Sequence, residues 1–234
     1  VEKPTPLLAS YEKSYLENLP AEVLVGVMKK HQRYFPVLDD AGKLSPYFIV
    51  VRNGDDQDAE MVVDGNLQVV HARFADADFF IREDMDKKLE EFVPKLSQLT
   101  FQKELGSMLE KTNRLQSLVE PIARRVGLEG GDLATAERVA TLCKADLASE
   151  MVVEMTALQG IMGRYYALCS GEPQAVADGI YEHYLPRYAE DTLPESLAGT
   201  AVGIADRLDS LVGLFAVGLA PTGNKDPFAL RRSA

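Results

Sequence analysis

Two kinds of hydrophobic spacing divide this chain, and the change between them falls near residue 64. The first fifteen or so residues show no clear periodicity. Pro20-Ala21-Glu22 then opens a short amphipathic helix over residues 23–30, with proline near its start and an acid in its first turn. Two apolar, aromatic-rich runs follow, at 34–38 and 47–51, and the polar stretch Asp39-Asp40-Ala41-Gly42-Lys43 between them predicts a β-hairpin. Asn53-Gly54 and the acidic residues after it read as an exposed loop.

Beyond that loop the spacing becomes helical. Leu67, Val70, Phe74, Ala77 and Ile81 lie on one face of a helix over 66–82, for which Asp64 is the expected N-cap. Pro94 marks a kink or boundary after Leu89, Phe92 and Val93. Leu105, Met108, Leu115, Leu118, Ile122 and Val126 line a long helix that Pro121 should bend. Asp132 is the expected N-cap of a helix over 133–147, and further helices are predicted over 158–168, 173–184 and 196–217. The fold class is therefore α+β. A small β-containing segment with its connecting helices, residues 1–94, precedes an all-α domain, residues 95–234, and the stretch 64–94 fits either side.

Composition narrows the functional classes. The 234 residues are 46% hydrophobic and 26% charged, ordinary for a globular protein able to bury a core. No apolar run reaches the roughly 18 residues a membrane span requires, and no charged-then-apolar leader follows Val1, so a cytoplasmic location is expected. A start without Met and an end at Arg231-Arg232-Ser233-Ala234 suggest a piece of a longer polypeptide. Cys143 and Cys169 are not in a CxxC pair and read as buried thiols. The net charge of −11 argues against generic nucleic-acid binding, so any such role must use local basic patches.

Of the three histidines, His31, His71 and His183, none precedes an aspartate and no two share a helix face. Asp146, Asp206 and Asp209 fall in apolar helical surroundings without an evident histidine partner, so they read as capping or paired carboxylates. No nucleophile elbow, Walker loop or GxGxxG occurs. Lys29-Lys30-His31-Gln32-Arg33-Tyr34-Phe35 is the most distinctive polar stretch. Cations and rings in that mixture can hold phosphates and stack a base, or can simply complement a helix C-terminus. Lys103, Lys111 and Arg114 share a helix face opposite the apolar stripe, expected to be solvated, and Lys225, Arg231 and Arg232 belong to a Gly/Pro-rich segment at 220–232.

Longer strings resemble the beta subunit of the bacterial-type, two-subunit glycyl-tRNA synthetase. They are Leu19-Pro20-Ala21-Glu22 leading to Lys29-Lys30-His31-Gln32-Arg33-Tyr34-Phe35-Pro36-Val37; Val70-His71-Ala72-Arg73-Phe74-Ala75-Asp76-Ala77-Asp78-Phe79-Phe80; and Leu99-Thr100-Phe101-Gln102-Lys103-Glu104-Leu105-Gly106-Ser107. Cys143-Lys144-Ala145-Asp146-Leu147, Leu158-Gln159-Gly160-Ile161-Met162-Gly163-Arg164, Ala205-Asp206-Arg207-Leu208-Asp209 and Pro221-Thr222-Gly223-Asn224-Lys225-Asp226-Pro227-Phe228 continue the match in the family's order.

The resemblance implies an ATP-dependent ligase of glycine and tRNA. Its alpha subunit carries the aminoacylation site and uses the ATP and Mg, while the beta subunit supplies tRNA-recognition domains. No cofactor is expected in this part, and the family's anticodon-binding region would lie beyond it. It also implies a helical domain similar to the HD metal phosphohydrolases. In that comparison Ala145 stands where a ligand histidine would be, followed by Asp146, and Asp206 is similar to the last aspartate, so the domain is expected to be a degenerate HD scaffold without a metal. The partners implied are the acceptor region of glycine-specific tRNA and the alpha subunit, with no DNA and no membrane. Expected tRNA contacts are Lys29, Lys30, Gln32, Arg33, Arg73, Lys111, Arg114, Lys225, Arg231 and Arg232, with no catalytic residue. The alternatives are a working metal-dependent phosphohydrolase and a purely structural docking module.

Overall fold

A computed structural model describes residues 2–223 and 225–234, leaving out the side chain of His31. The chain forms two compact units, Val1–Asp84 and Met85–Ala234. The first holds a three-stranded antiparallel sheet of β1 (Pro4–Ser10), β2 (Phe35–Leu38) and β3 (Leu44–Asn53), in the order β1-β3-β2. The expected hairpin is present: Asp39 accepts from the backbone N–H groups of Ala41 and Lys43 and so holds the turn between β2 and β3.

The first strand went unread because Pro4 and Pro6 argue against one, and β1 tolerates them as an edge strand. Gly54 N–H donates to Lys3 O, and Tyr11 N–H to Pro46 O, at 2.9 and 3.0 Å. That pairing puts the odd-numbered residues of β1 in the ladder with β3 and turns the prolines to the outer edge. Side chains alternate accordingly, Leu7 and Ala9 buried and Leu8 exposed.

Between β1 and β2 lie α1 (Ser14–Asn18) and α2 (Ala21–Gly26). The helix predicted over 23–30 stops at Gly26 and widens into a single π-type turn, Val27–His31, with Val23, Leu24, Val27 and Met28 buried. Arg33 follows in the left-handed region (φ +58°), and Tyr34 N–H donates back to Met28 O at 2.9 Å. The unit closes with α3 (Ala59–Met85), which begins earlier than expected, so Asp64 lies inside the helix instead of capping it. Its buried face is the predicted one, Val70, Phe74, Ala77 and Ile81. Phe74 meets Tyr11 edge-on with centroids 5.1 Å apart, and Tyr34 hydrogen-bonds Asn66 of α3.

The second unit starts with a 3₁₀ segment, Leu89–Gln98, that runs through Pro94 and buries Leu89, Phe92 and Leu96. A small hairpin, β4 (Thr100–Gln102) and β5 (Gly106–Ser107), leads into α4 (Met108–Arg125), which continues through Pro121. The Ser107 hydroxyl accepts from Glu110 N–H while Glu110 accepts from Ser107 N–H at 2.7 Å, a reciprocal cap stabilising the start of α4 by about 1 kcal/mol.

Next come α5 (Gly130–Leu142), α6 (Glu150–Glu154), α7 (Ile161–Cys169), α8 (Gln174–Glu182), α9 (Leu197–Ala216) and the short α10 (Leu230–Ser233). Helices α4, α5, α8 and α9 surround a core that includes Leu115, Val119, Val139, Ile180 and Val202. The helix predicted over 133–147 ends instead at Leu142, and a 3₁₀ turn, Ala145–Ala148, replaces its last part. Glu129, not Asp132, precedes its first turn. Among the described residues no helix is long and apolar enough to cross a membrane.

Candidate functional site

The break after Leu142 places Lys144 and Asp146 at the centre of the second unit, where α4, α8 and α9 each add a polar side chain. Lys144 is buried, and its Nζ lies 2.8 Å from Asp206 Oδ2 on α9 and 2.8 Å from His183 Nε2 just after α8. His183 Nδ1 lies 2.6 Å from the carbonyl of Ile180, which can only accept. Nδ1 must therefore carry the proton, and Nε2 offers its lone pair to the Lys144 ammonium. Burial, and then the Lys144 charge, keep His183 neutral by holding it well below the usual imidazole range. The face of the Tyr184 ring covers the same ammonium, its centroid 4.1 Å away.

A second buried ammonium completes the network. Lys111 Nζ on α4 lies 2.8 Å from Asp206 Oδ1, 3.0 Å from Asp209 Oδ2 and 2.8 Å from Ser210 Oγ, beneath the Phe101 ring. Arg114 pairs with both oxygens of Asp209 at 2.5 and 3.2 Å. Burial alone would raise Asp206, but Lys144 and Lys111 hold it well below the carboxylate range; Asp209 is likewise lowered against its burial, by Arg114 and Lys111. Lys111, Lys144 and Arg114 against Asp206 and Asp209 leave one positive charge uncompensated within the network. This local excess lies within a chain of net charge −11, and the neighbouring Asp146 carboxylate offsets it when ionised.

Asp146 does not face this network through shared bonds. Its Oδ2 accepts from the backbone N–H groups of Gly160 and Gly163 at 2.6 and 3.1 Å, where α7 begins. Its other oxygen is buried without a hydrogen bond, and burial pushes its carboxyl up to about 6 against the pull of those peptide donors. Small residues allow this crowding. A methyl on Gly163 would come within 2.8 Å of Ile180 Cγ2, and one on Gly203 within 3.0 Å of the His183 carbonyl oxygen.

Two expectations therefore change. The aspartates were read as lacking an imidazole, yet His183 stands in the centre; its role was hidden because Lys144 links it to a residue far along the chain. Lys111 was read as solvated on the polar face of its helix, yet it is buried because α9 brings Asp206 and Asp209 against that face. The only local sign of Lys144's burial is its setting, between Leu142-Cys143 and Ala145.

This donor set does not suit a transition metal. Both oxygens of Asp206 already hold ammonium groups, His183 Nε2 holds one too, Asp146 is turned to peptide donors, and Ala145 supplies nothing. Among the described residues no three His, Cys, Asp or Glu side chains converge in a way that could hold a metal ion. A cleft of about 360 Å³ opens onto the centre, lined by His183, Asp206 and Arg207 together with Gln159, Arg187 and Arg232. Arg207 is largely committed to backbone carbonyls, donating to Leu185 O at 2.9 Å, and Arg187 to Asp191 at 2.7 Å; Arg232 is exposed.

The remaining expected contact residues lie on surfaces. Lys29 and Lys30 are exposed on the π-type turn, Gln32 is half-buried, and Arg33 is exposed, with Phe35 nearby at 57% exposure. Arg73 is exposed on α3, 3.8 Å from Asp76, a spacing and exposure that contribute little. Thr222 and Lys225 exchange backbone hydrogen bonds, Arg231 on α10 donates to Gly223 O at 2.8 Å, and Asp226 accepts from the backbone N–H groups of Leu230 and Arg231. Asn224, within that segment, lies outside the described residues. Arg114 is half-buried by its pairing with Asp209.

Comparison with known proteins covers the whole chain. The family model described as glycyl-tRNA synthetase beta subunit matches residues 1–234. Proteins named glycine–tRNA ligase beta subunit match all of the chain at 52% identity in Myxococcus xanthus, 51% in a Picosynechococcus species and 50% in a Synechocystis species. The chain spans about a third of the length of these relatives, 33%, 33% and 32%.

Proposed function

Since the chain belongs to the glycyl-tRNA synthetase beta subunit family, we propose that it serves the ligation of glycine to tRNA as a non-catalytic, tRNA-handling part of that enzyme. The single observation that carries the reading is the state of the buried centre. Protein ammonium groups occupy Asp206, Asp209 and the His183 imidazole, and peptide N–H groups hold Asp146, which supports reading the helical unit as a degenerate HD scaffold that has given up metal binding. The same observation speaks against the metal-dependent phosphohydrolase alternative, which needs those donors for a cation. In this reading the adenylate chemistry, with its ATP and Mg, belongs to the alpha subunit, with which this chain's full-length protein assembles.

The proposed tRNA contacts are the exposed groups. Lys29, Lys30 and Arg33 would hold phosphates on either side of Gln32, and Phe35 offers a ring face for an unpaired base. Arg73, Lys225, Arg231 and Arg232 complete the set, in a surrounding whose net negative charge disfavours non-specific RNA. Lys111 and Arg114 drop out of it, because their charges are used internally.

The test is binding of glycine-specific tRNA, with and without its acceptor stem, to the full-length subunits across a salt series. Lys29→Ala with Arg33→Ala should weaken binding and reduce the salt slope by about 1 to 2, roughly 0.7 to 0.9 per phosphate contact. Unchanged affinity and slope in that double variant would refute the contact set.

A further inference from the structure

We infer that the Lys144 ammonium is the resident cation of the buried centre, seated between His183 and Asp206 where a divalent metal would otherwise be held. Three observations converge on it. Lys144 Nζ makes both of its short polar contacts to metal-ligand atoms, an imidazole nitrogen and a carboxylate oxygen, each at 2.8 Å. The imidazole is the neutral tautomer, with Nδ1–H fixed on the Ile180 carbonyl and Nε2 aimed inward, the arrangement a metal-bound histidine adopts through its outer hydrogen bond. The third side of the ammonium is a ring face, that of Tyr184, which attracts a cation and offers no competing ligand.

The alternative is that Lys144 merely fills space between helices. Packing alone gives no reason to bury an ammonium, since an apolar chain of similar length would cost less desolvation. The cleft supplies the other element of a metal site, a path from solvent to His183 and Asp206. Removing the lysine side chain should therefore open a site for a small, borderline cation such as Zn²⁺. His183 Nε2 and Asp206 Oδ2 would be its two protein ligands, and water the rest. With both atoms 2.8 Å from Nζ, they are at most 5.6 Å apart, and with zinc bonds of about 2.0–2.1 Å they must draw in to about 3.3 Å to share a tetrahedral zinc ion. Lys111 would stay on Asp206 Oδ1, so Oδ2 alone would become available.

The experiment titrates metal-free, full-length subunit with Zn²⁺ by calorimetry, for the wild type, Lys144→Ala and Lys144→Arg, each with and without His183→Gln. The wild type and Lys144→Arg should show no zinc uptake that depends on His183. Lys144→Ala should gain one equivalent, lost again when His183→Gln is added. A folded Lys144→Ala protein that gains no site overturns the inference, as does a wild-type or Lys144→Arg site that His183→Gln abolishes. Should Lys144→Ala fail to fold unaided, its thermal melt with and without Zn²⁺ decides: recovery of the transition by zinc supports the resident-cation reading, and no recovery refutes it.

Discussion

Replacing Lys111 with methionine keeps most of its volume and removes one charge from the centre. Lys111 Nζ forms an ion pair with Asp206 Oδ1 at 2.8 Å and hydrogen-bonds Asp209 Oδ2 at 3.0 Å and Ser210 Oγ at 2.8 Å, and its side chain is 3% exposed. Breaking a buried ion pair from one side costs about 3–5 kcal/mol. Lys144 remains on Asp206 and Arg114 on Asp209, so the lower end applies, about 3 kcal/mol. At roughly 2–4 °C per kcal/mol for a chain of this size, Lys111→Met should lower the melting temperature by about 6–12 °C. Lys103→Met is the control, on an exposed lysine shortly before the same helix, and should change it by less than about 2 °C. The acid limb adds a second readout. Asp206 and Asp209 have depressed values in the folded state, so their stabilisation is present above about pH 4 and is lost as pH falls through their folded values. Lys111→Met should shrink that acid-dependent loss. A melt indistinguishable from that of Lys103→Met, with an unaltered acid limb, would refute the claim that the ammonium holds α4 to α9.

Gly203→Ala would set a methyl 3.0 Å from the His183 carbonyl oxygen, a backbone atom that cannot swing aside, and should lower stability by about 1–3 kcal/mol, measured by thermal melting. Asp146 is pushed up from 3.8 to about 6, so its contribution is full below about pH 4 and fades as pH rises through about 6. The melting difference between wild type and Asp146→Asn should accordingly fall across that window and level above it; a flat difference would contradict the burial argument. The buried Cys143 thiol is pushed up to about 12 by desolvation, whereas Cys169 is exposed, so brief alkylation of the native protein at neutral pH should label Cys169 alone, as read by peptide mass mapping.

Local signals reached as far as local forces do. The hairpin was readable because Asp39 and Gly42 make its turn with neighbours in sequence, and the buried face of α3 because Val70, Phe74, Ala77 and Ile81 repeat at helical spacing. Ser196 marked the start of α9 and accepts there from Gly199 N–H at 2.9 Å. The early stop of α5 was not readable, because Lys144 leaves the helical path for partners 39 and 62 residues away. Lys111 was misplaced for the same reason: in sequence it is one polar residue among several on a helix face, and only the arrival of Asp209, 98 residues on, makes that face interior. The motif strings identified the positions of Asp146 and Asp206, but not that one faces peptide donors and the other two ammonium groups.

The two prolines of β1 bear on how this sheet behaves toward other chains. Of the backbone positions that β1 turns away from β3, Pro4 and Pro6 have no N–H to donate, so a strand approaching that side would find only Leu8 and Ser10 as donors. Restoring those donors, with Pro4→Val and Pro6→Thr, would give the molecule a complete row of hydrogen-bonding groups along a strand whose outward Leu8 is already sticky. Such a chain would self-associate through its sheets at concentrations where the parent stays dispersed.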